Sequence, residues 1–230
     1  MKSKWIVQSN LRDSPTLGLL RAACSHLEIE IVPVSITPGD TALPSDLPNG
    51  PLVAHGATTL INLAMQDNRF KNGVFYDQQN FCHNAYANGY GNDYVNRDAV
   101  LVDWQEAISS LSSRSQCFVK PPDDLKSFTG FIATKEKLMS QYQELSRGSL
   151  PFPKKIVLGP TREIDAEWRL FVVEGSIVSG SMYRPSADSR LPVDLMDFAK
   201  KSIKKWQPAP VFAIDFGIVD SEWKLSLIHI

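Results

Sequence analysis

The stretch from Glu167 to Arg184 has the sequence EWRLFVVEGSIVSGSMYR and predicts a β-hairpin. Two runs of apolar, β-branched and aromatic residues flank the pair Glu174 and Gly175, and glycine can supply the positive φ that a tight turn requires. A two-residue loop at this pair places Val173 opposite Ser176. The rest of the fold can be built outward from this hairpin.

The predicted register gives the hairpin one charged face and one apolar face. Residues that are directly opposed, or two apart on one strand, share a face. Glu167, Arg169 and Arg184 are therefore expected on one side. The other side is expected to carry Trp168, Leu170, Val172, Ile177 and Tyr183. Guanidinium groups suit forked contacts with phosphate or carboxylate oxygens, although a solvated outer face on a half-buried sheet is the alternative.

The composition is that of an ordinary globular protein. The chain has 230 residues, of which 43% are hydrophobic and 21% charged, and its net charge is −1. This balance gives no support for a nucleic-acid or membrane-surface partner. Three scattered cysteines without metal-ligand spacing indicate reduced thiols and a cytoplasmic location. No apolar run is long enough for a signal-peptide core or a membrane span.

The N-terminal half alternates between strand and helix patterns. Strands are predicted near 4–8, 29–34 and 52–56, with helices near 15–27 and 58–65. This alternation favours a small α/β lobe with a parallel sheet. A serine-rich spacer over 109–115 marks a boundary between a first lobe, 1–108, and a second domain, 116–230.

An Asn- and Tyr-rich segment occupies residues 74–96. Asparagine recurs at every fourth position from Asn80 to Asn96, but Asn and Gly are poor helix formers. The segment is therefore predicted to be irregular with one or two short helical turns, as an ordered surface connection or, alternatively, a substrate-facing loop. His55 and His83 have no partner motif and are predicted to be structural or exposed.

The second domain contains a strand ending at Lys120, a polar loop over 123–130, and a strand running from Lys155 to Pro160. After the hairpin come a basic helix over 194–206 and an apolar strand over 211–217. That strand contains a single carboxylate, Asp215. A buried carboxylate is costly unless it is paired, hydrogen-bonded or bound to a metal, so Asp215 is the second site candidate after the hairpin.

The order of these parts resembles the ATP-grasp superfamily, in particular the small phage and bacterial branch known as the R2K clade. ATP-dependent ribosomal-protein glutamate ligases contain the same order of parts. The resemblance covers roughly residues 117 to 224, and it implies an α/β protein with a small parallel N-terminal lobe followed by an ATP-grasp domain of two α+β lobes. The residues that carry it are Phe118-Val119-Lys120-Pro121, Lys126 to Gly130, Ile156 to Leu158, Glu167-x-Arg169, Met182-x-Arg184 and Ala213-Ile214-Asp215.

By this resemblance, ATP is clamped between the two lobes. Lys120 neutralises its phosphates, and the 123–130 loop with Lys126 folds over them. Backbone groups of Ile156, Val157 and Leu158 are expected at adenine. Glu163 is expected at the ribose, and Glu167 in the wall of the phosphate site.

The resemblance also implies the chemistry. Arg169 and Arg184 would hold the γ-phosphate and an acyl phosphate, and Asp215 would ligate Mg²⁺, which prefers oxygen ligands. The substrates would be ATP, a small-molecule or peptide carboxylate, and an amine that captures the acyl phosphate. A kinase or phosphotransferase on the same scaffold, or a non-catalytic nucleotide-binding protein, are the alternatives.

The C-terminal residues depart from the superfamily pattern. A second metal strand with Glu-x-Asn should follow Asp215, but the chain continues Glu222-Trp223-Lys224 and then Leu225-Ser226-Leu227-Ile228-His229-Ile230. The last six codons can be written CTGTCTCTTATACACATC, which resembles a transposon-adapter sequence. We therefore expect the native gene to continue beyond Lys224. If the six residues are native, Ser226 or His229 would occupy ligand positions.

Overall fold

The computed structural model describes residues 3–11, 15–112, 115–124, 127–147, 152–185, 188 and 190–229. The chain forms two compact units, Met1–Tyr76 and Asp77–Ile230. The α/β class expected from the sequence is confirmed.

The first unit is a parallel sheet with two helices. Its strands are β1 (Lys4–Gln8), β2 (Ile31–Val34) and β3 (Leu52–His55), in the order β2-β1-β3. The helices are α1 (Pro15–His26) and α2 (Thr58–Ala64). All strand pairs are parallel, as the strand–helix alternation predicted.

The core of the first unit is aliphatic, with one buried amide at its edge. Ile6, Leu52 and Leu60 are almost fully buried. At the end of β1, the Gln8 side chain donates to the carbonyl of Ile36 at 2.8 Å and accepts from the N–H of Ala57 at 2.8 Å. Gln8 thereby connects the ends of the strands to the start of α2.

The second unit contains two sheets, of which the first is four-stranded and antiparallel. Its strands are β4 (Val100–Asp103), β5 (Cys117–Lys120), β6 (Phe131–Ala133) and β7 (Lys155–Gly159), in the order β4-β7-β5-β6. Helices α4 (Trp104–Ser110) and α5 (Lys135–Arg147) pack on it around the buried Trp104, Leu138 and Ile156.

The observed division of the chain lies upstream of the predicted boundary. The sequence placed the boundary at the 109–115 spacer, whereas the two units divide between Tyr76 and Asp77. The reason is that β4 precedes the spacer and pairs with β7, which follows it. The spacer is therefore a connection within the second unit.

The Asn- and Tyr-rich segment contains short helical structure, as predicted, but this structure is buried and is not a surface connection. Helix α3 spans His83–Tyr90 and is followed by a 3₁₀ turn over Gly91–Asp93. His83, Tyr86, Tyr90 and Tyr94 are buried, and Trp206 packs against the rings of Tyr86 and Tyr90. The prediction of a surface connection was wrong because burial of the aromatic side chains outweighs the poor helix propensity of Asn and Gly.

A second four-stranded sheet completes the unit. Its strands are β8 (Glu167–Val173), β9 (Ser176–Arg184), β10 (Val211–Val219) and β11 (Glu222–His229), in the order β11-β10-β8-β9. Helix α6 (Val193–Lys205) buries Leu195, Ala199 and Ile203. Within the described part of the chain, the helices are too short or too polar to span a bilayer.

The predicted hairpin is β8–β9, and its turn is as expected. Glu174 and Gly175 both have positive φ, 47° and 78°, as in the tight turns that match strand twist. Val173 pairs with Ser176. Two register shifts follow, so that Arg169 lies opposite Ser181 and Glu167 lies opposite Arg184.

The two shifts are β-bulges in β9, and they change which side chains share a face. Val178 is the extra residue at the first bulge and Tyr183 at the second. A bulge re-aims the side chains beyond it. Arg184 therefore shares a face with Glu167, as predicted, but Tyr183 reaches the charged side and not the apolar side.

The C-terminal residues form strand β11 beside β10. Asp215 pairs with Leu227, Phe216 pairs with Leu225, and Ser226 is the extra residue between them. A strand thus occupies the position expected for the second metal strand. The side chain of His229 lies outside the described residues.

Candidate functional site

A cavity of about 650 Å³ lies between the two sheets of the second unit. Its walls come from β5, β6, the 121–130 loop, the segment after β7 and the open ends of β8 and β9. The residues that line it include Val95, Asn96, Phe118, Lys120, Pro121, Asp123, Asp124, Phe128, Thr129, Gly130, Phe131, Ile132, Pro160, Thr161, Arg162, Ile164, Glu167, Tyr183, Arg184, Ser226 and Leu227. The volume is within the usual range for a small-molecule site, about 300–1,000 Å³.

The cavity has an apolar part and a charged part. Phe118 and Ile132 contribute apolar surface, whereas Lys120, Glu167 and Arg184 contribute charges. Such a wall suits a ligand with a flat apolar group and an anionic group.

Lys120 is the most buried cation at the cavity among the described residues, with 9% of its surface exposed. Its ammonium donates to the Tyr94 hydroxyl at 3.0 Å. It also lies 5.9 Å from the centre of the Tyr86 ring and 5.6 Å from that of Tyr94. Aromatic faces stabilise a desolvated cation, so the Tyr86 and Tyr94 rings suit a buried ammonium at this position.

His83 contacts both the Tyr94 hydroxyl and the backbone at Ala99. Its Nδ1 is 3.4 Å from the Tyr94 hydroxyl and its Nε2 is 3.2 Å from the carbonyl oxygen of Ala99. Burial, together with the positive charge of Lys120, lowers the pKa of His83 below its ordinary value. The imidazole is therefore neutral at neutral pH.

Glu167 and Arg184 form an ion pair at the cavity wall. The Arg184 guanidinium lies 2.8 Å from a Glu167 carboxylate oxygen. The carboxylate is 9% exposed, whereas half of the arginine side chain is exposed. Arg184 can therefore turn toward a ligand while Glu167 stays in place.

Asp215 is bound by Arg169 with two hydrogen bonds. Arg169 Nε donates to Oδ1 at 2.8 Å and its terminal nitrogen donates to Oδ2 at 2.7 Å. The Tyr183 hydroxyl donates to Oδ2 at 3.3 Å, and its ring lies 5.3 Å from the guanidinium carbon. The hydrogen bonds to Asp215 raise the pKa of Arg169. Burial raises the pKa of Tyr183, and the negative charge of Asp215 raises it further.

The predicted metal ligand is thus engaged by a cation. Among the described residues, no group of three or more His, Cys, Asp and Glu side chains is arranged to hold a metal ion. The residues present do not form an all-protein Mg²⁺ site. The assignment of Asp215 as a metal ligand stays a prediction.

The structure brings some predicted site residues to the cavity and leaves others away from it. Lys120, Glu167 and Arg184 line it, and Tyr183 connects it to Arg169 and Asp215. Lys126 lies outside the described residues.

The predicted adenine contacts do not reach the cavity wall. Ile156, Val157 and Leu158 lie in β7, which pairs with β4 on one side and β5 on the other. Their backbone groups therefore face neighbouring strands. Pro160, Thr161 and Arg162, directly after β7, line the cavity instead. Glu163 is exposed beside them and is not among the lining residues.

Sequence reasoning missed the aromatic and amide residues of the site. Phe118, Asn96 and Tyr183 line the cavity, and Tyr94 holds Lys120. The four-residue spacing of Tyr86 and Tyr90 was a signal for a helix with a buried aromatic face, but Tyr94 lies beyond α3 and the 3₁₀ turn that follows it.

The sequence matches the family described as "ATP-grasp domain, R2K clade family 2" over residues 94–228. The search of curated proteins returned no match. The family match includes both sheets of the second unit and the whole β8–β9 hairpin.

Solved ATP-grasp structures have a similar fold. A RimK domain ATP-grasp protein from Sphaerobacter thermophilus superposes with a TM-score of 0.64 at 13% identity, covering 97% of this chain and 90% of that one. D-cycloserine synthetase DcsG gives 0.59 at 12% identity, covering 99% and 91%. D-alanine–D-alanine ligase from Bacillus anthracis gives 0.51 at 12% identity, covering 99% and 86%.

The structural matches and the sequence match therefore indicate the same fold. The chain belongs to the ATP-grasp domain family, R2K clade family 2.

Proposed function

We propose that this protein binds ATP in the cavity of its second unit and acts as a ligase that joins a carboxylate to an amine, releasing ADP and phosphate. The observation that carries the proposal is the buried Lys120 ammonium at a cavity wall that also holds the Glu167–Arg184 pair. The similar structures named above include a ligase and a synthetase.

The residues of the cavity fit ATP. Phe118 and Ile132 offer an apolar surface for a base, while Lys120 and Arg184 offer cations for phosphates. Gly130 keeps the loop close to β5, because a Cβ there would lie 3.1 Å from the Phe118 ring and 3.4 Å from the Lys120 Cβ. Gly130 therefore packs closely on the β5 residues that line the cavity.

Two displacement steps would make the product. A carboxylate oxygen of the acceptor attacks the γ-phosphorus of ATP, and the bond from phosphorus to the ADP oxygen breaks. The amine nitrogen then attacks the acyl carbon, the bond to phosphate breaks, and the nitrogen loses a proton. Lys120 and Arg184 would offset the phosphate charge, so that catalysis rests on positioning and electrostatics.

Arg169 is proposed to contribute through the fixed position of its guanidinium as well as through its positive charge. Its guanidinium is held by two hydrogen bonds to Asp215 and lies over the Tyr183 ring, and Tyr183 lines the cavity. The described residues do not include a group of three or more side chains arranged to hold Mg²⁺. ATP phosphates commonly bring most of the ligands of that ion.

Calorimetric titration of ATP with Mg²⁺ into the full chain tests the binding part of the proposal. Wild type is expected to bind, and Lys120→Met to lose affinity by about a hundredfold, because a buried charge-assisted contact is lost. Lys155→Met is the matched control, since Lys155 is exposed on neighbouring β7. Absence of binding in wild type, or equal affinity in Lys120→Met, contradicts the proposal.

The ligase part is tested by ADP release. Turnover should require both a carboxylate and an amine, which can be screened as mixtures of amino acids and short peptides. ADP release with a carboxylate alone, yielding a stable phosphorylated product, would indicate a phosphotransferase instead.

The engagement of both Asp215 oxygens by Arg169 favours a second candidate, nucleotide binding without turnover. In that case ATP binds but no acceptor mixture releases ADP. Binding and turnover measured on one preparation separate the two candidates.

A further inference from the structure

We propose that Tyr94 and His83 are positioning residues that hold the Lys120 ammonium at the cavity through a hydrogen-bond chain with one fixed direction. The inference deepens the proposed function and rests on it for the meaning of Lys120 in ATP binding. The chain of contacts itself can be tested without ATP.

The direction of the chain follows from its two ends. The carbonyl oxygen of Ala99 can only accept, so the His83 Nε2 at 3.2 Å must carry the proton. In a neutral imidazole the other nitrogen, Nδ1, is then an acceptor. The Tyr94 hydroxyl, 3.4 Å away, donates to it.

The other end is an ammonium, which can only donate. The Tyr94 hydroxyl has a single proton, and that proton is directed to His83. Its oxygen is therefore available to accept from Lys120 Nζ at 3.0 Å. The hydroxyl thus orients one of the three ammonium donors, and the ammonium is fixed at the cavity wall.

Burial makes this arrangement matter. His83 is 3% exposed, Tyr94 is 2% exposed and Lys120 is 9% exposed. Polar groups without partners in such surroundings are costly. Since the Tyr86 and Tyr94 rings also flank the ammonium, the lysine has little freedom to leave the wall before a ligand arrives. Preorganisation of this kind lowers the entropic cost of binding.

The residues that hold the Lys120 ammonium lie largely outside the segment that matches the family. His83 lies in α3, before the matched residues 94–228, and Tyr94 is the first of them. Helix α3 is also anchored independently, because the Tyr90 hydroxyl donates to the carbonyl of Trp206 at 3.1 Å. We infer that α3 serves the site by presenting His83 to Tyr94.

The first test observes the ammonium directly by proton–nitrogen NMR of lysine side chains. An ammonium signal survives exchange with water when the group is held and shielded. Wild type is expected to give a Lys120 signal, identified by its loss in Lys120→Arg. Tyr94→Phe should abolish that signal, whereas Tyr90→Phe, which removes a hydroxyl that donates to the Trp206 carbonyl, should retain it.

Nitrogen shifts of the His83 ring provide a second readout. Nε2 should be protonated and Nδ1 unprotonated in wild type, and the Nδ1 shift should move in Tyr94→Phe. A Lys120 signal that persists in Tyr94→Phe, no such signal in wild type, or the opposite tautomer of His83 would overturn the inference.

ATP titration then links the chain to binding. Tyr94→Phe should weaken ATP binding about tenfold, the effect of losing one hydrogen bond to a charged group, while Tyr90→Phe should not. If wild type fails to bind ATP while the NMR results hold, the proposed function fails and the positioning of Lys120 stands. Equal ATP affinity in Tyr94→Phe and wild type contradicts the positioning role in binding.

Discussion

Arg169 and Asp215 are directly opposed across β8 and β10, and the guanidinium binds both carboxylate oxygens. The two partners differ in exposure: the side chain of Asp215 is 0% exposed and that of Arg169 is 37% exposed. The charge of the buried Asp215 carboxylate is therefore compensated by the Arg169 guanidinium, which is partly exposed to water.

This asymmetry predicts unequal costs of removing the partners. Arg169→Met leaves a buried carboxylate without its cation and should lower the free energy of unfolding by about 3–5 kcal/mol. Asp215→Asn leaves an arginine that can reach solvent and should cost about 1–2 kcal/mol. Urea denaturation of the full-length variants measures both.

The double variant, Arg169→Met with Asp215→Asn, provides the control. It should be more stable than Arg169→Met alone, because the uncompensated charge is gone. If Asp215→Asn were the more damaging single change, the carboxylate would have a role beyond binding Arg169.

Gly180 marks a close approach between β9 and β8. A Cβ at this position would lie 2.4 Å from Leu170 Cδ2 and 2.9 Å from the Arg169 carbonyl oxygen. Gly180→Ala should therefore destabilise the protein by about 1–3 kcal/mol through overpacking. Thermal unfolding measures the change, and Ser179→Ala on the exposed side of the same strand should be nearly neutral.

The stability of the protein should depend on the protonation of His83. Its folded pKa is lowered, so the unfolded chain binds more protons in the window below the ordinary value of about 6.5. The stabilisation is complete above that value and is lost as the pH falls through the folded pKa. The titratable groups that belong to the hydrogen-bond chain of His83, or contact it, are Tyr94, Tyr86 and Lys120.

Unfolding measured between pH 7.5 and pH 5 by urea titration tests this dependence. His83→Gln should show a shallower decline than wild type, with a remainder from His55, whose pKa is lowered by burial. Exposed His26→Gln should leave the decline unchanged. A decline of the same size in His83→Gln would exclude His83 as its source.

Gln8 should be a structural residue of the first unit. Gln8→Leu removes the buried hydrogen bond to the Ile36 carbonyl and the acceptor for the Ala57 N–H, and should cost about 1–3 kcal/mol. Exposed Gln66→Leu in the same unit should change stability little. Circular dichroism during chemical denaturation measures both.

Local sequence patterns predicted most of the strands and helices, because these elements depend on hydrophobic periodicity and on the residues at turns. The Glu174–Gly175 turn, the parallel first sheet and the lone carboxylate of β10 were all predictable in this way. For helix α3 the sequence predicted only one or two short helical turns, since the burial of its aromatic side chains against Trp206 is not contained in any local propensity.

The site was predictable only in part. Lys120, Glu167 and Arg184, which line the cavity, were expected there from the family resemblance and, for Glu167 and Arg184, from the charged face of the hairpin. Tyr94 and His83 could not be predicted, because their contact with Lys120 joins segments that are brought together by the order of the strands.

The bulges at Val178 and Tyr183 also bear on how the length of the hairpin can change. Deleting a bulge residue leaves the other residue pairs of β8 and β9 unchanged. A deletion elsewhere in β9 moves the side chains between the deleted position and the next bulge to the opposite face of the sheet. Val178 is exposed, while the Tyr183 ring lies over Arg169. Relatives whose hairpin is one residue shorter are thus expected to lack the counterpart of Val178 and to keep that of Tyr183.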